Sequence, residues 1–170
     1  KIVTDSANGI SAITTGVKTI NAAIGVDDSV KSKDCQSALG ARIETVAEQA
    51  KRAGRAAGVV TTAGITDATP AGTYGHVPFR GWRADVDLPP EAVKAGCVDL
   101  ARQLVEAPDD VRMDLAFGGD LQDFVPAGTG PGKRGDGRDL TKTWLSRPGA
   151  RYVTDAAGLV LVLAGLAIAL

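Results

Sequence analysis

Histidine is almost missing from this chain: 170 residues contain one, His76, together with two cysteines, Cys35 and Cys97. A zinc centre draws three or four ligands from His, Cys and carboxylates, so this chain alone is a poor candidate for a complete zinc enzyme. Charge of one sign is missing too. Lys+Arg is 19 against Asp+Glu 20, a formal net charge of -1, and phosphate-backbone binding needs a basic surplus; a nucleic-acid partner is not expected. Aromatics make up only 4%, so bulk must come from Ala, Val, Leu and Ile. The opening residues, KIVTDSANGI, lack a basic segment followed by an apolar core and so carry no signal-peptide pattern. The apolar run Leu159 to Leu170 is twelve residues, too short for the ~20 that cross a bilayer. It reads as a buried strand or core helix in preference to a membrane or lipid anchor.

What is present is ordinary globular content, 44% hydrophobic and 23% charged, with 21 glycines that imply many turns. Lys1 to Thr4 reads as the end of a strand. Ala7 to Ala23 reads as a helix begun by Asp5 or Ser6. Val26 to Asp34 is turn-rich. Ala38 to Ala53 has Ile43, Val46, Ala47, Ala50 and Ala53 at helical spacing, with Gly54 as a stop. Gly58 to Thr62 is a short buried strand. Ala68 to Arg80 is a loop with one helical turn begun at Pro70. Pro89-Pro90 opens a helix with Val93, Cys97, Leu100, Ala101 and Leu104 on one stripe, ended by Pro108. Met113 to Phe117 is a strand closed by Gly118-Gly119, Ala127 to Asp139 an exposed loop, Leu140 to Ser146 a short helix, and Ala150 to Thr154 a further strand. The recurring helix–strand order predicts an α/β fold, a three-layer α/β/α sandwich whose central sheet is mostly parallel. No boundary divides the chain, so residues 1–170 are expected to belong to one domain.

Five places are candidates for chemistry. Thr4-Asp5-Ser6-Ala7 sets a hydroxyl at a strand-to-helix junction, where backbone N–H groups and the helix dipole favour anions. Ser6 there is either a nucleophile for a phosphoryl group or an N-cap. With no His near in sequence, a metal would have to activate it. Asp67-Ala68-Thr69-Pro70 follows a buried strand, the usual ligand position in open α/β sheets. Asp67 and Thr69 either face a hard cation or form a turn that caps the next helix. Arg80 is a fork suited to phosphate among several loop arginines. His76 is either a metal ligand or, as favoured here, a hydrogen-bonded structural residue. Ala127 to Arg134 nearly spells a phosphate-binding P-loop, but Arg134 replaces the Ser or Thr, Val125-Pro126 is a poor strand, and Gly135-Asp136-Gly137 cannot begin a firm helix.

Taken together, VTDSANGISAITTGVKT at 3–19, AAIGVD at 22–27, AGVVTTAGITDATPAGTYGHVPFRGW at 57–82 and AGCVDLARQLV at 95–105 resemble the alkaline phosphatase family, with weaker echoes at 113–126 and 136–153. The resemblance implies hydrolysis of phosphate monoesters at a site of two zinc ions and one magnesium. A serine attacks in line to give a phosphoserine, which a zinc-held hydroxide then hydrolyses. By motif, Ser6 matches the nucleophile and a zinc ligand, Thr69 a magnesium ligand, and Asp67 the magnesium side. Arg80 matches the phosphate-binding arginine, oriented by Asp5. Some members carry His at the Asp67 position; Asp suits magnesium better. Cys35 and Cys97 match positions paired in one branch of the family, so a disulfide and export to a periplasmic or extracellular compartment are implied, the alternative being two buried thiols. A homodimer is the usual family assembly. The substrates implied are small phosphomonoesters, with inorganic phosphate as product.

The sequence also departs from the family. A Gly-Asp-Gly segment that supplies a bridging Asp would precede Lys1, and later Asp and His ligands would follow Leu170. Phe117-Gly118-Gly119-Asp120 replaces a run of three glycines. The expectation is therefore an incomplete sheet and site, inactive as an isolated 170-residue chain. A related hydrolase of phosphodiesters or sulfate esters, and a non-catalytic anion-binding segment, are the competing readings.

Overall fold

Two parallel strands form the centre of the computed structural model, which describes residues 3–154. Strand β1 (Gly58–Gly64) lies beside β2 (Leu115–Gly119), with Gly58 opposite Leu115 and Val60 opposite Phe117. The register shifts before Gly64, which meets Gly119. Parallel neighbours need a crossover, and the chain between them supplies helices α4 (Ala68–Ala71), α5 (Pro90–Lys94) and α6 (Leu100–Glu106). Helices α1 (Ser6–Thr15), α2 (Cys35–Ala38) and α3 (Val46–Arg52) precede β1, and α7 (Leu140–Leu145) follows β2. The expected α/β class with a parallel, incomplete sheet is what the chain adopts.

The boundaries differ where local chemistry overrides apolar spacing. α1 stops at Thr15 because Gly16 turns left-handed at φ 73° and its N–H returns to Ala12 O. α3 begins at Val46, eight residues later than expected. Thr45 and Glu48 form a reciprocal capping box there, and Arg42 is already engaged in an antiparallel bridge with Val26. The single helix expected after Pro89 is two, parted by Gly96 at φ 96° and restarted by Asp99, whose carboxylate accepts from Arg102 N at 2.9 Å. Val93 is consequently exposed rather than in a stripe. The turn after β1 starts at Ala68, not Pro70. β2 runs through Gly118 and Gly119, because Ile65 N still donates to Gly119 O. Residues 150–154 form no strand; the Arg151 carbonyl instead accepts from Trp144 Nε1. The apolar run from Leu159 to Leu170 and the opening Lys1 and Ile2 lie outside the described residues.

Trp82, Ile24, Val77, Leu100, Leu140 and Met113 fill the core between these elements. Cys35 and Cys97 form a disulfide with Cα atoms 5.9 Å apart, tying α2 to the α5–α6 turn. The loop expected to be wholly exposed sends Arg134 inward, 1% exposed. Its guanidinium grips Asp99 through two bonds of 3.0 and 3.1 Å, and also bonds Asp136 and the Asp123 carbonyl. Lys133 pairs with Asp87 and Asp123, and Thr66 donates to Asp123. A buried charge is tolerable only when paired and hydrogen-bonded. This network fixes the exit of β1, the segment after Trp82 and the start of α6 relative to one another.

Candidate functional site

Asp5 is the N-cap of α1, extended at φ -79° and ψ 154°, and its Oδ1 accepts from Ala7 N at 2.8 Å. Ser6 is therefore the first helical residue and not the cap, and it is exposed. Arg80 arrives from a loop pinned by its own amide, which donates to Ala22 O at 2.7 Å. Its Nη1 donates to Asp5 Oδ2 at 3.1 Å and to Ser6 Oγ at 2.6 Å. Three of the sequence-predicted residues thus meet at one helix N-terminus, where unpaired amides and the helix dipole attract anions. The Asp5 and Arg80 side chains remain about a quarter exposed, so a ligand can reach the guanidinium from solvent.

Asp67 and Thr69 stand at the carboxyl end of β1, at the N-cap and the second residue of α4. α4 lies against α1: Thr14 Oγ1 donates to Gly72 O at 2.7 Å. A Cβ on Gly72 would sit 2.4 Å from Ile10, so only glycine allows this approach. Thr69 is exposed. The Asp67 carboxylate makes no cap to α4, which removes the capping-turn alternative; it pairs with Arg83 Nη2 instead. Arg83 Nη1 also reaches Asp120 Oδ2 at 3.3 Å. Arg83 and its place between two carboxylates were missed by sequence reasoning. The available signal was Asp120 itself, an acidic residue directly after Gly118-Gly119.

His76 is structural, as favoured from sequence. Its Nδ1 contacts Gly25 O at 2.7 Å and its Nε2 contacts Glu48 Oε1 at 3.0 Å. Burial alone would push the Glu48 carboxyl up. The His76 hydrogen bond and charge, the Thr45 amide and Arg42 outweigh burial and hold it at about 2. In the near P-loop, Arg134 pairs with Asp99 and Asp136.

Ser6, Thr69 and Asp67 offer only oxygen, a donor set that suits a hard cation such as magnesium. Among the described residues no three His, Cys, Asp or Glu side chains are grouped so as to hold a metal ion. The described residues alone do not complete a zinc site.

Comparison with known proteins follows the same lines. The family model described as alkaline phosphatase matches residues 1–164. A curated alkaline phosphatase of Gadus morhua is 35% identical over 155 residues, which is 85% of this chain and 32% of that protein. Alkaline phosphatase 4 of Drosophila melanogaster is 39% identical over 162 residues, 86% of this chain and 26% of that protein. The solved alkaline phosphatase of the Antarctic bacterium TAB5 superposes with a TM-score of 0.63 at 28% identity, over 94% of this chain and 37% of its own. A variant of that enzyme with one histidine replaced by aspartate, solved with magnesium in its M3 site, gives a TM-score of 0.62 at 29% identity. The chain spans 26% to 37% of the length of these relatives. It belongs to the alkaline phosphatase family.

Proposed function

We propose that the protein hydrolyses phosphate monoesters through a phosphoserine on Ser6, with residues 1–170 forming part of one catalytic domain. The observation that supports this reading most is the meeting of Ser6, Arg80 and Asp5 at the N-terminus of α1. Arg80 binds two non-bridging phosphate oxygens, for which its planar fork is shaped. Asp5 holds the guanidinium over the serine and at the same time caps the helix that carries it. The exposed Ser6 Oγ is then the nearest nucleophile to the bound phosphorus. Arg80 donates to Ser6 Oγ and cannot take its proton, so the arginine orients the hydroxyl and does not activate it.

The family's two zinc ions and one magnesium are part of the proposal. Thr69 would hold magnesium directly with Asp67 on the magnesium side, and Ser6 Oγ would be one ligand to zinc, whose remaining ligands are not among the residues described. When bound, such ions supply electrostatic stabilisation of the transferring phosphoryl group. An oxidising periplasmic or extracellular location is consistent with the Cys35–Cys97 bridge. No helix among the described residues is long and apolar enough to cross a membrane.

The test is to incubate the full-length protein with a phosphomonoester at mildly acidic pH, quench it in acid and map the phosphopeptide. Phosphate is expected on Ser6, and Ser6→Ala is expected to abolish the label. Label on another residue, or full turnover in Ser6→Ala, overturns the assignment.

A further inference from the structure

Arg83 lies between two carboxylates and is the residue of this region that the proposed reaction leaves without a task. It pairs with Asp67 through Nη2 and with Asp120 through Nη1. All three side chains are only a quarter to a third exposed, so the pairing is sheltered without being cut off from solvent. Two further features show that the backbone is shaped for it. Asp120 sits in the left-handed region at φ 67°, which favours glycine and which Asp adopts more readily than most other residues. Gly64, on the paired strand, has no side chain, and a Cβ there would lie 1.7 Å from Asp120 Oδ2. The Asp120 carboxylate therefore occupies the space of an absent side chain on β1, and from there it anchors the guanidinium.

We infer that Arg83 is a tethered cation that competes with a divalent metal ion for the Asp67 carboxylate and so sets how tightly that ion is held. This rests on the reading of Asp67 as a magnesium-side residue. A carboxylate oxygen paired with a guanidinium has less negative potential to offer a second cation, and the fixed positive charge repels that cation. Displacing Arg83 costs its ion pair with Asp67, while Asp120 keeps the arginine close enough to return. Arg83 is in this sense a positioning residue, acting on the metal through Asp67.

Direct magnesium titration of the metal-stripped full-length protein by calorimetry, without substrate, is the test. Arg83→Met is expected to bind magnesium about tenfold more tightly than wild type, the effect of removing one nearby charge at partial exposure. Arg83→Lys, which keeps the charge, is expected to stay within about twofold of wild type, or within about a third of the gap on a logarithmic scale. The double variant Arg83→Met/Asp120→Gly restores the local net charge without returning a cation to Asp67; its binding is expected to remain tighter than wild type. Unchanged or weaker binding in Arg83→Met overturns the inference, as does a return to the wild-type affinity in the double variant. Asp67→Asn separates the two readings. If it leaves magnesium binding unaltered, the assignment of Asp67 fails. If it abolishes binding while Arg83→Met changes nothing, only the competition fails. The lysine variant and the double variant keep the question answerable if Arg83→Met alone does not fold.

Discussion

Arg80 Nη1 lies 2.6 Å from Ser6 Oγ and 3.1 Å from Asp5 Oδ2, so a single nitrogen bridges the helix cap and the hydroxyl beside it. Arg80→Ala should weaken inhibition by inorganic phosphate and lower kcat/KM together. A donor serving only the transition state contributes about 2.7–4 kcal/mol, and sharing with metal ions should make the loss smaller. Arg80→Lys should rescue in part, because an ammonium lacks the fork. Steady-state kinetics with phosphate as inhibitor decide it; wild-type values for both quantities in Arg80→Ala would make this an ordinary loop arginine.

Asp5 has two tasks that substitution can separate. Asn caps a helix about as well as Asp, whereas Ala costs about 1 kcal/mol. Asp5→Asn should therefore melt close to wild type and Asp5→Ala lower. Both should lose turnover, because neither offers Arg80 a charged partner. Thermal melts paired with kinetics check this, and full activity in Asp5→Asn would remove the orienting role.

The Cys35–Cys97 bridge closes a span with a sequence separation of 62. Chain-entropy arguments give such a loop about 4 kcal/mol, before any strain. Reduction, or Cys35→Ser with Cys97→Ser, should lower the melting temperature by many degrees. Peptide mapping without reductant should recover the linked pair; two alkylatable thiols in the native, unreduced protein would refute it.

Glu48 should make stability depend on acidity. Its carboxyl is held at about 2, below the ordinary 4.5 of a glutamate, so the folded state favours the ionised form. A depressed folded value contributes stability that is fully present above the unfolded value and is lost as pH falls toward the folded one. The stability gap between wild type and Glu48→Gln should be constant at neutral pH and shrink between about pH 4.5 and about pH 2. Denaturant unfolding across that window measures it; a gap that does not shrink would mean that the carboxylate is no better stabilised in the fold than in the open chain.

Much of this molecule is legible in the sequence because its signals are local. Gly54 stops α3 through a left-handed φ of 72°, and a glycine after an apolar stripe announces that. Asp5 and Ser6 stand at the start of α1, where the sequence places a helix cap. The misses have one common cause, polar side chains choosing distant partners. Asp99 restarts a helix and also holds Arg134, 35 residues on, so no local window contains both ends. Arg134 looked exposed because its loop is rich in glycine and charge, and only the convergence of Asp99, Asp136 and the Asp123 carbonyl makes its burial tolerable. Asp67 looked free to cap α4, and Arg83 lies too far along the chain for spacing to reveal the pair.

The disulfide also decides what survives a break in the backbone. Asp67, Thr69, Arg80 and Arg83 all lie inside the covalent ring between Cys35 and Cys97, whereas Asp5 and Ser6 lie outside it. A protease cutting anywhere within the ring leaves both pieces joined through sulfur, with those four side chains still on one molecule. A cut between Gly16 and Asp34 frees the segment carrying the serine, which is then held by non-covalent contacts such as Thr14 Oγ1 to Gly72 O and Arg80 Nη1 to Asp5 Oδ2. Of these two nicks, only the second lets the protein shed its serine on dilution.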